Sequence, residues 1–236
     1  MRLLAVSGFA FIVPAEILAS GGKGPGKRWA MAVDLLGCTK RNGCTDCIEA
    51  CHRVHNVPRI ADARRQIRWI WTSSYEALFP EEPAHLRDLM GRQILALCNH
   101  CENPPCVAVC PTQATFQRDD GIVMMDYHRC IGCRYCMAAC PYGARSFNWQ
   151  DPRPFVQTID KDYPTRTKGV VEKCNFCEER LGKGRLPACV EACKEKCLTF
   201  GDLNDEASEI GRLLGGRYAV RRKPELGTRP KVLYLV

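Results

Sequence analysis

The chain has 236 residues, 46% of them hydrophobic and 25% charged. That composition bounds it to one large or two small globular domains and excludes an intrinsically disordered chain. The formal charge of +8 would suit a nucleic-acid or anionic-lipid partner, but it comes with seventeen cysteines, in a chain longer than the short secreted ones that suit disulfide scaffolds.

In chain order, Arg2, the apolar run 3–13 and the small residues Ala19-Ser20-Gly21 outline an export signal or a retained anchor, with a short buried or interfacial helix as the alternative. A Gly/Lys-rich linker follows, so residues 1–27 stand apart from a folded unit that begins near Arg28. Residues 29–36 read as a strand that enters the first cysteine group, Cys38, Cys44, Cys47 and Cys51. Residues 52–97 hold a predicted strand at 66–72 and a predicted helix at 85–97. Arg64, Arg65 and Arg68 fall on a solvated face there, while Trp69 and Trp71 read as packing residues. The second group is Cys98, Cys101, Cys106 and Cys110. Segments 114–118 and 122–127 flank Asp119-Asp120-Gly121, a hairpin signal. The third group is Cys130, Cys133, Cys136 and Cys140. Residues 142–173, rich in Pro, Asp and Thr, read as a surface connector, with Trp149 in core or interface packing. The fourth group is Cys174, Cys177, Cys189 and Cys193. After it come a spare Cys197, a short strand at 198–200, a helix at 207–214 closed by Gly215-Gly216, and a basic-then-apolar tail. A short helix is predicted at each C-x3-C step, at 47–52, 106–110, 136–140 and 189–193.

Every group ends in C-x3-C, and two end in Cys-Pro, at Cys110-Pro111 and Cys140-Pro141. The third group, C-x2-C-x2-C-x3-C-P, is the bacterial ferredoxin run for [4Fe–4S] clusters. Three thiols of one tight loop reach three corners of a cube, and the fourth comes from another run. Applied to the central pair, Cys98, Cys101 and Cys106 join Cys140, and Cys130, Cys133 and Cys136 join Cys110. The outer pair follows the same logic: Cys38, Cys44 and Cys47 with Cys193, and Cys174, Cys177 and Cys189 with Cys51. Its spacings are irregular, so the outer clusters are the ones expected to be unusual. The expected fold class is α+β, with two ferredoxin-like double [4Fe–4S] modules that carry insertions. The inner module spans about 94–150, the outer module combines about 28–60 with 168–203, and 204–236 form a C-terminal docking tail.

Four such cubes contribute about −8 and bring the loaded chain near neutrality, which removes the charge argument for nucleic acid. A zinc- or disulfide-stabilised binding module is the reading of a different class, but zinc would not ask for a C-x3-C-P ending. No catalytic residue is assigned: a Ser/His/Asp set, a P-loop and a dinucleotide fingerprint are all absent from the chain. Cys197 reads as a small buried thiol, with a ligand swap with Cys193 as the alternative. Lys194 either raises the potential of a neighbouring cluster or points to water. His52, His55, His100 and His128 read as neighbours of the ligands or surface groups, since the sixteen thiolates fill every position.

The segments 44–58, 98–111, 130–149, 169–193 and 224–236 resemble the four-cluster ferredoxin-like subunits of membrane oxidoreductases. These include the beta subunits of dimethyl sulfoxide and polysulfide reductases and the nitrite-reduction quinol system. Within that group the chain is most similar to the iron–sulfur subunit (DsrO or HmeA type) of the DsrMKJOP complex of dissimilatory sulfur metabolism. The resemblance implies a linear chain of four [4Fe–4S] clusters in a respiratory, hetero-oligomeric membrane complex. It implies docking on an NrfD-like integral membrane subunit that handles quinone, with a c-type cytochrome subunit on the extracytoplasmic, periplasmic face. The subunit would carry electrons and do no bond chemistry itself. A beta subunit serving a molybdopterin oxidoreductase is the rival of similar class. Departures from the family pattern are the widened Cys38–Cys44 loop, the lysine in place of proline after Cys193, and the lack of a twin arginine.

Overall fold

The computed structural model describes residues 26–80 and 88–236. The expected signal or anchor segment therefore lies outside the described residues, as does the start of the helix expected at 85–97. Strand β1 (Trp29–Asp34) is apolar up to its last residue, and Ala30 to Val33 are fully buried. Such a run suits a strand covered on both faces. It sits inside a four-stranded sheet, antiparallel to β8 (Leu198–Asp202) and parallel to β10 (Val232–Leu235); β9 (Ala219–Val220) forms the edge beyond β10. The period of two sorts the side chains. Met31, Val33, Phe200, Val232 and Tyr234 enter the main core, while Ala30, Ala32, Leu233 and Leu235 pack against Ile210. Ile210 lies on helix α8 (Glu209–Gly216), which Ser208 caps by accepting from Gly211 N at 3.1 Å. Gly215 and Gly216 are the last residues of this helix rather than its stop.

The strand expected at 29–36 ends two residues early because Asp34 turns the chain into helix α1 (Leu35–Thr39). The Asp34 carboxylate accepts from Gly37 N at 3.1 Å and from the Arg217 guanidinium at 3.0 and 3.1 Å. That cap presents Cys38. Helix α2 (Asp46–Val54) carries Cys47 and Cys51.

Two expectations are corrected here. The helix expected at 85–97 is, over Gln93–Leu97, strand β3, paired antiparallel with β2 (Ile70–Ser74) across the short helix α3 (Tyr75–Leu78). Ile94 to Leu97 are all buried, and a short run that is apolar on every side carries no period to separate strand from helix. The surface connector expected at 142–173 is half interior. Its ends pair as β6 (Ser146–Phe147) and β7 (Val171–Glu172), and Arg145, Asn148, Arg166, Glu172 and Lys173 are buried. Glu172 receives Trp69 Nε1 at 2.8 Å, Asn148 Nδ2 at 2.6 Å and the Arg166 guanidinium at 2.7 Å. That network fastens the connector to the 52–97 insertion.

The hairpin forms as expected, β4 (Thr115–Gln117) against β5 (Val123–Met125), with Gly121 at φ +78° in its turn. Within the segment expected as a docking tail, the apolar end is β10, whose four residues are buried between β1 and β9. Among the described residues no helix is long and apolar enough to cross a membrane.

Candidate metal centres

Short helices aim the cysteines. Helix α4 (Pro105–Ala108) carries Cys106, α5 (Tyr135–Ala138) carries Cys136, and α7 (Ala188–Glu191) carries Cys189; Cys110, Cys140 and Cys193 follow these helices directly. Helix α6 (Glu178–Leu181) opens on Cys177, which holds a left-handed φ of 53°. Loop turns between cysteines also use that region, at His100, Gly132, Arg134 and Phe176.

Cys38, Cys44, Cys47 and Cys193 line one cavity of about 140 Å³. Burial, then Cys193 and Cys44, push the Cys38 thiol up to about 11. Cys47 rises to about 12 through burial, then Cys38, Cys193 and Cys44. A second set joins Cys51 to Cys174, Cys177 and Cys189: burial and then these three thiols raise Cys51 well above its ordinary value. Cys98, Cys101, Cys106 and Cys140 line a second cavity, and Cys101 rises to about 12 through burial and then Cys98. In the remaining group Cys136 lies beside Cys106 and Cys130, and Cys133 is exposed. Cys110 accepts from Thr115 N at 3.4 Å and lies 3.8 Å from the Thr112 hydroxyl. Its thiol falls below the ordinary value because these bonds outweigh burial.

The donor chemistry fits iron–sulfur clusters. All seventeen thiols are free, so no disulfide competes for them. Four cysteines line the second cavity and five the first, where Cys197 joins Cys38, Cys44, Cys47 and Cys193; backbone N–H groups already point at sulfur: Phe176 to Cys174 and Ala188 to Cys177, both at 3.4 Å, and Cys197 to Cys193 at 3.3 Å. Such bonds stabilise thiolate and set cluster potential. The sets are also neighbours in one order. Helices α4 and α5, which carry Cys106 and Cys136, pack together, as do α2 and α7, which carry Cys47, Cys51 and Cys189, and Cys98 shares one buried cluster with Cys174. The thiols of the two middle sets are nearly all buried, whereas Cys133 at one end is exposed and the Cys38 set at the other is half-buried.

Cys197 is buried, donates to Glu195 O and lies beside Cys193. Lys194 is 72% exposed and pairs with Asp46 at 3.4 Å, so it faces water. Arg64, Arg65 and Arg68 are exposed. Trp69 is buried against His55, with ring centroids 4.5 Å apart, whereas Trp149 is exposed under the Arg134 guanidinium. His128 is exposed. His55 is buried, with Nδ1 3.7 Å from Cys51 Sγ and Nε2 3.0 Å from a Glu179 carboxylate oxygen. His100 is stacked on Phe176 at 3.7 Å and accepts from Val123 N at 3.1 Å. Burial, then the charges of Lys173, Lys231 and Arg145, hold it neutral. The cations Arg145 and Lys173 are functional candidates that sequence reasoning missed. The available signal was a basic residue directly before a cysteine (Lys173) or at the end of a cysteine loop (Arg145).

A family model described as a 4Fe-4S dicluster domain matches residues 93–155 and 158–203. The chain is 43% identical over 232 residues to an Hdr-like menaquinol oxidoreductase iron-sulfur subunit 1 from Archaeoglobus fulgidus, covering 88% of this chain and 83% of that protein. The chain belongs to the 4Fe-4S dicluster family of iron–sulfur subunits. Two further members are similar over most of their length. A putative iron-sulfur subunit of dimethyl sulfoxide reductase from Halobacterium salinarum is 49% identical over 211 residues, covering 88% of this chain and 78% of that protein. Protein NrfC from Escherichia coli is 40% identical over 233 residues, covering 98% and 88%. As a dicluster-family member the chain binds [4Fe–4S] clusters and serves electron transport as an oxidoreductase subunit.

Proposed function

We propose that the chain relays single electrons through four [4Fe–4S] clusters, held by the four ligand sets that the cysteine spacing suggests. Cys133, Cys130 and Cys136 with Cys110 hold one end of the row, and Cys38, Cys44 and Cys47 with Cys193 hold the other. Cys98, Cys101, Cys106 and Cys140 form one middle set, and Cys51, Cys174, Cys177 and Cys189 the second. When bound, each cluster supplies one reversibly gained electron. The protein's part is to hold neighbouring sets close, keep water from the middle two and leave the ends open to partners. The observation that carries this reading is the packing that links the thiol sets, from Cys136 and Cys106 on α5 and α4, through Cys98 and Cys174 in one buried cluster, to Cys51 and Cys47 on α2. His55, Cys197 and Lys194 stand outside the ligand sets.

On this reading the partners are an NrfD-like membrane subunit that handles quinone and a c-type cytochrome, in a sulfur-metabolism complex on the extracytoplasmic face. The menaquinol oxidoreductase relative supports the quinone side. A second reading, a beta subunit of a molybdopterin reductase, is favoured by the similarity to the dimethyl sulfoxide reductase protein. Purification of the intact complex from native membranes separates them: a cytochrome c subunit supports the first, a molybdenum subunit the second. A colourless protein without acid-labile sulfide, purified anaerobically, would end both.

A further inference from the structure

Arg145 and Lys173 are buried cations beside the middle set Cys98/Cys101/Cys106/Cys140. Arg145 lines its cavity and is 5% exposed. Its Nη1 donates to the Thr115 hydroxyl at 3.0 Å, and its Nη2 is buried with no hydrogen-bond partner. On its far side it lies against Cys136, a thiol of the next set. Lys173 is 1% exposed, and its ammonium donates to the carbonyl oxygens of Val123 and Cys174. Val123 lines the middle cavity and Cys174 belongs to the other middle set, so Lys173 bridges the two.

Both cations bond neutral groups. The contrast within the same molecule is Arg166, equally buried, which has the Glu172 carboxylate at 2.7 Å. An unpaired buried charge is strongly unfavourable, so Arg145 and Lys173 need an anion. The anionic groups within reach are the thiolates of the sets they separate. At the half-buried end, by contrast, Arg41 and Lys194 are exposed and already paired with Asp46, so solvent screens them.

We propose that Arg145 and Lys173 are the internal counter-ions of the cluster held by Cys98, Cys101, Cys106 and Cys140, and that they make it the highest-potential cluster of the row. A fixed cation stabilises the more negative, reduced form, and charge and hydrogen bonds at sulfur are what set cluster potential. Each neighbouring set touches one of the two cations, and the middle set touches both. The proposal rests on the ligand sets given under Proposed function.

The test is a potentiometric titration of the intact complex, followed by electron paramagnetic resonance. Cys101→Ser marks the middle cluster, because it alters that centre's signal. The expected result is that the marked centre has the highest midpoint in the wild type. Arg145→Gln lowers it together with the Cys136 neighbour, and Lys173→Met lowers it together with the Cys174 neighbour. Arg145→Lys, which keeps the charge, leaves it in place, and the Cys38 centre moves in none of these variants. A highest midpoint that belongs to an unmarked centre overturns the proposal, and that result needs no charge variant to fold. Unmoved midpoints in Arg145→Gln and Lys173→Met at full iron content overturn it too. Wild-type iron and sulfide short of four cubes, or a Cys101→Ser complex with every signal intact, overturns the ligand sets themselves and the proposal with them.

Discussion

At Gly132 an added Cβ would stand 2.5 Å from the Gly169 carbonyl oxygen, and φ is +71°. A side chain there meets backbone that cannot yield, in a conformation only glycine adopts freely. Gly132→Ala is therefore expected to cost about 1–3 kcal/mol and to lower the thermal midpoint, read by loss of the clusters' visible absorbance. The buried Arg166–Glu172 pair is the second sensitive point. Glu172→Ala strands a guanidinium in the interior and is expected to cost about 3–5 kcal/mol, and Arg166→Ala a similar amount; protection of backbone amides over the 142–173 segment would report it. The [4Fe–4S] chemistry was legible because the cysteine spacing is local, three thiols to a tight loop. Glu172, Arg145 and Lys173 were not. A lone charge between Pro, Asp and Thr reads as solvated, and only the pairing of β6 with β7 buries it.

Among the elements, β10 departs furthest from its sequence reading. A basic-then-apolar tail suggests a surface contact, yet Val232 to Leu235 form the strand between β1 and β9. Truncation before Val232 is expected to abolish soluble, cluster-loaded protein, since it uncovers β1 on one side and removes Tyr234, whose hydroxyl donates to Leu95 O at 3.1 Å. Ile210→Ala is milder: it opens a cavity under the sheet for about 2–4 kcal/mol, measurable as a lower thermal midpoint with full iron content. The hairpin of β4 and β5 was readable because Asp119-Asp120-Gly121 interrupts two apolar runs. The β3 strand was not, since Ile94–Leu97 is apolar without a period, and no short turn signal links it to its partner β2.

For the whole molecule, two of the four proposed ligand sets join the early and late parts of the chain, as the four-stranded sheet does. Cluster binding is then a large part of folding energy. Protein stripped of iron by chelation and oxidation is expected to lose its native-like far-ultraviolet circular dichroism, and to regain it only when iron and sulfide are restored; retention of the spectrum in the stripped protein would show that the polypeptide core suffices. The overall α+β character could be read from the cysteine frame and the runs between groups. The four-stranded sheet could not, because it draws β1 together with β8 and β10 from the other end of the chain, a pairing no local pattern encodes.

That pairing bears on biosynthesis. Strand β1 has no lasting neighbour until β8 and β10 have been made, and Cys38, Cys44 and Cys47 have only three of their four thiols until Cys193 emerges. The segment from Cys98 to Cys140, by contrast, holds within itself all four cysteines that line the second cavity. The first-made strand and the first-made cysteines are thus expected to be enclosed last, which pulsed hydrogen exchange during refolding with iron and sulfide would read as late protection of β1.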